Sequence, residues 1–348
     1  MSDAPLYHHV GENGRRVLAI RTGVTTGTFA VTQLVSQERD SGWIVHDESM
    51  EPWHIEGFRH NEGGLYYYGP ELPVISFKEL LEGKTGEHRR IESAATVYRA
   101  IRRVADAKVR LPSLSLSGIF LTEDGGVFLA PPQIVAKSLT HLTDAEVVAY
   151  VEHHTHPDLD DQRRDAMAFG IWVYRVLTGE WPYPGESVSE VRDHFRASPP
   201  RPPRSLRPSL RREIAEGLEL LLTNPTEENA QNLLHAATEM EEYYQELSEE
   251  EAEEIRTAET KRWNEGERRL RKRRYLSKNW KTLAVIAVVA LVVLSVPFSL
   301  IKRALEPSPL EGKSANEVVK SFYYGMNDFD HTLMEEAVVD KAAEDKLR

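Results

Sequence analysis

A run of nineteen residues without a charged side chain, Leu283 to Ile301, constrains this chain more than any other feature. At about 1.5 Å per residue, a helix of this length reaches roughly 28 Å, which matches the hydrocarbon core of a bilayer. A buried helix of a soluble domain is the alternative, but such helices are usually shorter and carry polar positions. The run therefore predicts a single transmembrane helix.

Basic residues are distributed unequally on the two sides of this run. Ten Lys or Arg residues lie between Lys261 and Lys281, whereas four follow the run closely, namely Lys302, Arg303, Lys313 and Lys320. The positive-inside rule then places the N-terminus in the cytoplasm. Residues 1–7 are not an apolar run, so we expect no signal peptide. These patterns predict a single-pass protein of the cell (inner) membrane that contacts the lipid bilayer through Leu283 to Ile301.

The composition argues against several kinds of function and of binding site. The 348 residues carry a formal net charge of -12, which argues against general nucleic-acid binding. The absence of Cys excludes disulfides and thiolate metal sites. Nine acidic residues and no basic residue lie between Glu239 and Glu254, ahead of the basic cluster. Residues 239–282 are therefore predicted to form a charged, solvated helix next to the membrane, with too few apolar residues for a coiled coil.

Two patterns divide the first 238 residues. Short apolar or alternating runs, broken by turn-forming residues, predict a strand-rich lobe over residues 1–77; the runs are Arg16–Arg21, Phe29–Val35 and Leu65–Tyr68. Helical spacing dominates residues 78–238, most clearly from Ile91 to Val104 and from Arg163 to Leu177. Two short strands, Gly118–Leu121 and Val127–Ala130, interrupt the helices. Strands followed by helices predict an α+β fold with two lobes.

The segment from Asp165 to Gly185 resembles the central helix of protein kinases. The matching positions are Asp165, Gly170, Tyr174, Leu177, Thr178, Gly179 and Pro182. Three weaker matches follow the order found in kinases: Leu65–Leu72 resembles the hinge strand, His156-Pro157-Asp158 the Ala-Pro-Glu motif, and Asn224-Pro225 the Asp-Pro before the last helix. The resemblance covers about residues 15 to 240 and implies a protein-kinase-like fold.

The same resemblance implies that the catalytic positions are substituted. Phosphoryl transfer needs a Lys on the phosphates, a catalytic Asp, and an Asn and an Asp that bind magnesium. No Lys precedes Lys78, and neither Arg16 nor Arg21 is a geometric substitute. The catalytic Asp, loop Lys, metal-binding Asn and first residue of Asp-Phe-Gly are replaced by Ser113, Ser115, Gly118 and Pro131. The pattern predicts a pseudokinase with no catalytic residue, no cofactor and no metal.

Four positions are expected to be structural by the same resemblance, namely Pro157, Asp158, Asp165 and Gly170. Asp165 is expected to cap the backbone of the degenerate loop near Ser113, so that Asp165→Ala destabilises the domain without affecting any activity. Kinases pair the acid of Ala-Pro-Glu with an Arg near the last helix. Here Glu228 stands at that place, which puts the anchor of Asp158 in doubt.

Two segments allow a second interpretation. The side chains of His153, His154 and His156, with Asp158, Asp160 and Asp161, suit a metal site if His154 and His156 point the same way on a strand. We favour a polar loop. The proline-rich segment from Ser198 to Pro208 suits a polyproline ligand of a partner domain, although a connecting loop is the more common role.

Residues 302–348 are predicted to form an extracytoplasmic linker and an incomplete helical segment. The helix–turn–helix pattern from Asn316 to Val338 is similar to the opening of small nuclear-transport-factor-like domains. A helical pair of this length buries little core, so either it docks on a partner or the chain is a fragment of a longer protein.

Together these features predict a membrane-anchored, catalytically inactive kinase-like protein. Its expected role is signalling or scaffolding through protein contacts on the helical lobe. An active atypical kinase that binds ATP in a rearranged site is one alternative, and a structural envelope protein is the other. Phosphate transfer from labelled ATP would distinguish the first alternative from the pseudokinase.

Overall fold

A computed structural model describes residues 7–12, 15–24, 40–61, 64–109, 111, 114–240, 242–268, 279, 284–286, 289–290, 310 and 312–337. The chain divides into two units, Met1–Arg274 and Tyr275–Arg348. The first unit holds two antiparallel sheets and a cluster of helices, most of which follow the last strand. This order confirms the α+β class expected from the sequence.

The first sheet has four strands in the order β1 (Tyr7–Glu12), β2 (Arg15–Arg21), β6 (Gly64–Pro70) and β5 (Gly57–Asn61). Side chains two residues apart on a strand point to the same face. Leu18 and Ile20 on β2 therefore share a face, and Ile20 lies opposite Tyr67 on β6. These side chains belong to one buried apolar cluster that also includes residues of the second sheet.

The second sheet has five strands in the order β4 (Met50–His54), β3 (Ser41–Val45), β9 (Val127–Leu129), β8 (Ile119–Thr122) and β7 (Val74–Ser76). The pair β8 and β9 is the hairpin expected around Thr122–Gly126. Phe120 pairs with Phe128 across this hairpin, and both rings are fully buried. The two sheets thus face each other across an apolar layer.

The helices of the first unit are α1 (Phe77–Glu82), α2 (Glu87–Asp106), α3 (Pro132–Ser138), α4 (Asp144–Val147), α5 (Asp161–Thr178), α6 (Val188–Ala197), α7 (Pro203–Leu206), α8 (Arg212–Thr223), α9 (Glu227–Glu239) and α10 (residues 249–268). Helix α5 lies at the centre because it is apolar on nearly every side, and Phe169 and Trp172 are fully buried. The Asp160 carboxylate caps its start by accepting the Arg163 N–H at 3.0 Å. Gly179, at φ 79°, ends it in the left-handed conformation.

The transmembrane part of the predicted fold class is corrected. Among the described residues, no helix combines the length and the apolar character needed to cross a membrane. The long helices are charged: α2 alternates charged and apolar residues, α5 begins with two Asp and two Arg, and α10 is rich in Glu. Of the predicted span Leu283 to Ile301, residues 284–286 and 289–290 are helical, and the rest lies outside the described residues.

Within the predicted charged helix over residues 239–282, the helical part begins at residue 249. Residues 242–248 instead follow an irregular path in which the Gln245 N–H donates to the Ser209 carbonyl at 2.8 Å. Helix α10 also contacts the preceding helices. The Trp263 Nε1 donates to the Pro199 carbonyl at 3.1 Å, and the Arg201 guanidinium lies 5.8 Å from the Trp263 ring centre.

The second unit contains the two helices expected after the linker, α11 (Ala315–Asp328) and α12 (His331–Glu336). Ser314 and Glu317 form a capping box at the start of α11. Tyr323, Tyr324 and Phe329 are exposed. The pair therefore leaves aromatic side chains in solvent, as expected for two helices with little core of their own.

Candidate functional site

The loop through Ser115 and Gly118, which the sequence resemblance aligned with the kinase catalytic loop, forms hydrogen bonds among its own polar groups. The Ser115 and Ser117 hydroxyls lie 2.7 Å apart, and the Ser115 hydroxyl also accepts the Ser117 N–H at 3.2 Å. The Gly118 carbonyl accepts the Ala130 N–H at 2.8 Å, which holds the loop against the end of β9. Ser113 lies outside the described residues. Neither Ser115 nor Gly118 offers the carboxylate or amide oxygen that magnesium prefers.

Gly118 has no room for a larger side chain, such as the Asn expected at this position from the resemblance to kinases. A Cβ atom on Gly118 would lie 2.7 Å from Val135 Cγ2 on helix α3. This helix begins directly after Pro131, the position that the resemblance aligned with the metal-binding Asp. Helix α3 therefore packs closely against Gly118, and neither Gly118 nor Pro131 carries a side-chain oxygen.

Asp40 holds the start of that helix. Its Oδ2 accepts the N–H groups of Gln133 at 2.7 Å and Ile134 at 3.4 Å, and Oδ1 accepts the Ser41 N–H. Burial raises the pKa of Asp40, although these three donors act in the opposite direction. This contact could not be predicted from the sequence, because 93 residues separate Asp40 from Gln133. The carboxylate therefore serves as a helix cap.

Aromatic rings fill the space between the two sheets. The Phe128 ring centre lies 5.1 Å from that of Trp53 and 5.8 Å from that of Phe120, and Tyr7 meets Phe120 edge-on at 5.2 Å. Such pairs add to the free energy of apolar burial. The hydroxyl of Tyr7 donates to Glu79 at 3.2 Å and accepts the Ser76 N–H at 3.3 Å. In the described residues, the region next to Gly118 and Pro131 is thus a packed core.

Arg16 and Arg21, the two arginines considered for a charge on a phosphate, both form ion pairs. Arg21, at the end of β2, forms an ion pair with Glu146 on α4, and its side chain is only 10% exposed. Burial opposes ionisation of Glu146, but hydrogen bonds from Thr143 and the Arg21 charge outweigh it, and the pKa of Glu146 is lowered. Arg16 is exposed and pairs with Glu71 at 3.2 Å. Arg21 therefore ties the first sheet to the helices.

Asp165 and Gly170 occupy buried positions on α5. The Asp165 Oδ1 accepts from Nε and Nη2 of Arg164 at 3.2 and 3.0 Å. Burial raises the pKa of Asp165, and Arg164 opposes that rise. The expected cap on the loop near Ser113 involves backbone outside the described residues and stays a prediction. A Cβ atom on Gly170 would lie 2.9 Å from Leu221 Cδ2, so glycine permits close contact between α5 and α8.

The strand that a metal site through His154 and His156 would need is not formed. Residues 148–152 form a π-helical turn, and His153 and His154 follow it in a turn. The fully buried His154 ring accepts the Trp172 Nε1–H at Nδ1 and bonds the Ala149 carbonyl through Nε2, both at 3.1 Å. The His153 ring stacks on Trp181 at 4.8 Å. Among the described residues, no group of three or more His, Asp or Glu side chains is placed to hold a metal ion.

Helix α6 supplies two arginine anchors for this loop that the sequence reasoning missed. The Arg196 guanidinium forms two hydrogen bonds with the Asp158 carboxylate, at 2.8 and 2.9 Å. The Arg192 guanidinium binds the buried Glu152 carboxylate in the same way, at 2.8 and 2.6 Å. The exposed Pro157 lies between the two acids. The four-residue spacing of the arginines on one helix face was the available signal.

A groove lies beside this loop, where the ends of α6 and α8 meet the start of α5. We call it the α6 groove; its volume is about 410 Å³, and its lining includes Leu159, Arg163, Tyr183, Phe195, Arg196 and Leu222. The proline-rich segment forms one wall through Pro199 and Pro200. Internal contacts hold this segment, since its Arg201 carbonyl accepts the Tyr174 hydroxyl at 2.8 Å. It is therefore built into the helical part as a connecting loop.

No protein-family model matches this chain, and a comparison with curated proteins finds no significant match.

Proposed function

We propose that this chain is a kinase-like protein that does not transfer phosphate and acts in signalling or scaffolding through protein contacts. One observation carries the proposal: the region next to the substituted positions Gly118 and Pro131 is packed with the rings of Phe120, Phe128 and Trp53. A nucleotide needs an open, polar and positively charged space there. Here Arg21 forms an ion pair with Glu146, and Asp40 accepts hydrogen bonds from the start of helix α3.

The first test measures nucleotide binding and transfer by the full chain. We expect ATP with magnesium to leave the melting temperature unchanged, and labelled ATP to transfer no phosphate above a heat-inactivated control. Transfer above that background would overturn the proposal in favour of an active atypical kinase.

A restoration variant sharpens this test. Substituting Gly118→Asn and Pro131→Asp together returns two metal-binding side chains to their kinase positions. If substitution alone had removed activity, the variant would gain a nucleotide-dependent melting shift. Because the Asn side chain would collide with Val135, we expect a lower melting temperature and no response to ATP. Gly125→Asn, which has open space around its Cβ but a φ of 86°, is the control for a strained glycine substitution.

A further inference from the structure

The charges that line the α6 groove all have the same sign. Arg163 and Arg196 lie at its rim with His156, and no acidic side chain is among its described lining residues. The acid that pairs with Arg196, Asp158, lies outside the lining. The formal net charge of the whole chain is -12, so this local excess of basic groups contrasts with the rest of the protein.

Arg163 is the group most available to a ligand. Its backbone N–H is used in the cap of α5, but its exposed guanidinium forms no ion pair with any acid in the described part of the chain. Helices α6 and α8 end at the groove and contribute partial negative charge there. The Arg163 guanidinium carries a full positive charge, whereas each helix end carries about half a negative charge.

The interior of the groove is apolar. Leu159 is half-buried and Leu222 is buried in the lining. The rings of Phe195 and Tyr183 are tilted by 33° with their centres 4.3 Å apart. A volume of about 410 Å³ accommodates one or two large side chains, and pockets of this size commonly bury ligands in proteins. The groove therefore combines an apolar interior with a cationic rim.

We propose that the α6 groove binds an extended acidic segment of a partner protein, with an aliphatic side chain in the groove and an adjacent carboxylate on Arg163. The inference rests on the proposed function, because it names the kind of contact through which a non-catalytic protein would act. Complementary charge would set the orientation and speed of docking, and the apolar side chain would hold the segment in place.

Fluorescence anisotropy with the full chain tests this proposal. The probe is a labelled peptide of alternating Glu and Leu residues, and the comparison peptide replaces Glu by Lys. We expect saturable binding of the acidic peptide alone, weakened about tenfold by Arg163→Glu and by added salt. Arg99→Glu is the matched control because Arg99 is also exposed on a helix and lacks an ion pair among the described residues. We expect it to retain wild-type affinity.

A photoreactive phenylalanine in place of the peptide's central Leu locates the binding site. We expect cross-links to Leu159, Phe195 or Pro199, and cross-links confined to other surfaces would overturn the proposal. Equal loss of affinity in the Arg163 and Arg99 variants would do the same, since it would indicate nonspecific attraction. If the peptide does not bind and Arg163→Glu alters sedimentation of the chain, a second copy occupies the groove and the proposal is wrong. None of these outcomes depends on ATP, so the result of the peptide-binding test is independent of the result of the nucleotide test.

Discussion

The space between the two sheets and the surface around the α6 groove differ in the environment of their polar groups. Between the sheets, Phe120, Phe128 and Trp53 form an apolar layer, and the neighbouring polar groups Arg21 and Asp40 are bound to protein partners. At the groove, Arg163 and the ion pair of Arg196 with Asp158 lie in solvent. The open and charged surface of the two therefore lies among the helices, and the space between the sheets is closed and apolar.

The two regions therefore contribute differently to the protein. The apolar side chains packed between the sheets contribute the free energy of burial. Helix α5 is central and capped at both ends, and it supports one side of the groove. The packed space thus contributes to stability, while the groove presents polar groups to solvent.

The largest expected effect comes from removing an aromatic ring between the sheets. Phe120→Ala should lower the free energy of unfolding by about 3–5 kcal/mol, because the fully buried ring leaves a cavity among Phe128 and Tyr7. Urea unfolding followed by fluorescence measures the change. Leu220→Ala, at an exposed position on α8, should cost less than about 1 kcal/mol. Equal losses in the two variants would mean that the sheets are not packed together in solution.

The second effect concerns the buried ion pair on α5. Among the described residues, Asp165→Ala leaves the buried Arg164 guanidinium with the exposed Asp161 as its remaining partner, so we expect a loss of about 2–4 kcal/mol. The matched variant Asp158→Ala removes an exposed acid near the groove and should lower stability less. Melting curves of both variants decide the comparison, and unchanged melting of Asp165→Ala would sink its assignment as a structural residue.

The third effect is a dependence of stability on pH. Burial lowers the pKa of His154 from 6.5 to about 3 and that of His153 to about 4, so both rings are neutral in the folded protein at pH 5. The unfolded chain binds these protons below about pH 6.5, and stability should therefore fall as the pH falls from 7 towards 3. For His154 alone the loss is roughly 2 kcal/mol between pH 7 and pH 5.

His154→Gln should reduce this pH dependence by the contribution of His154, roughly 2 kcal/mol between pH 7 and pH 5. The same substitution should lower stability at pH 7. His235→Gln, at an exposed position, is the control for the substitution itself. Urea unfolding at a series of pH values measures the slopes. An unaltered slope in the His154 variant would show that this ring is not buried in its neutral form.

The sequence was sufficient for features that depend on neighbours along the chain. The apolar residues of α5 recur at helical spacing, and Gly179 follows the last of them, so the helix and its end could both be predicted. The hairpin of β8 and β9 was likewise visible from the apolar runs on either side of Thr122–Gly126. These elements form because local spacing and tertiary packing favour the same structure.

The sequence was insufficient where distant residues share one contact. The apolar run around Phe120 indicates a buried strand, but nothing in it identifies Trp53 and Tyr7 as its neighbours. The histidine segment was predicted to be a polar loop, in which a side chain such as that of His154 is usually exposed. Its burial depends on the Trp172 N–H, which only the folded chain brings within reach. The α6 groove depends in the same way on the ends of three separate helices.

The smallest effect separates the two arginines of helix α6. Arg192 binds Glu152, whose side chain is 5% exposed, whereas Arg196 binds Asp158, and both members of that second pair are about half exposed. Arg192→Gln strands a buried carboxylate, so we expect a loss of about 1–2 kcal/mol, reduced because water reaches the Arg192 side. Arg196→Gln should leave global unfolding nearly unchanged, since exposed pairs contribute little.

The consequence of Arg196→Gln should instead be local. With Asp158 released, residues 155–160 should exchange their amide hydrogens faster, while the exchange rates of α5 and α6 stay as in the wild type. Hydrogen exchange read by mass spectrometry resolves these segments. The opposite pattern, with faster exchange throughout α6 and an unchanged loop, would place the energetic role of Arg196 in the helix. The loop beside the groove would then depend on the pair of Glu152 and Arg192, not on Arg196. In that case the groove rim would not be adjustable, and it would not differ from the packed interior in this respect.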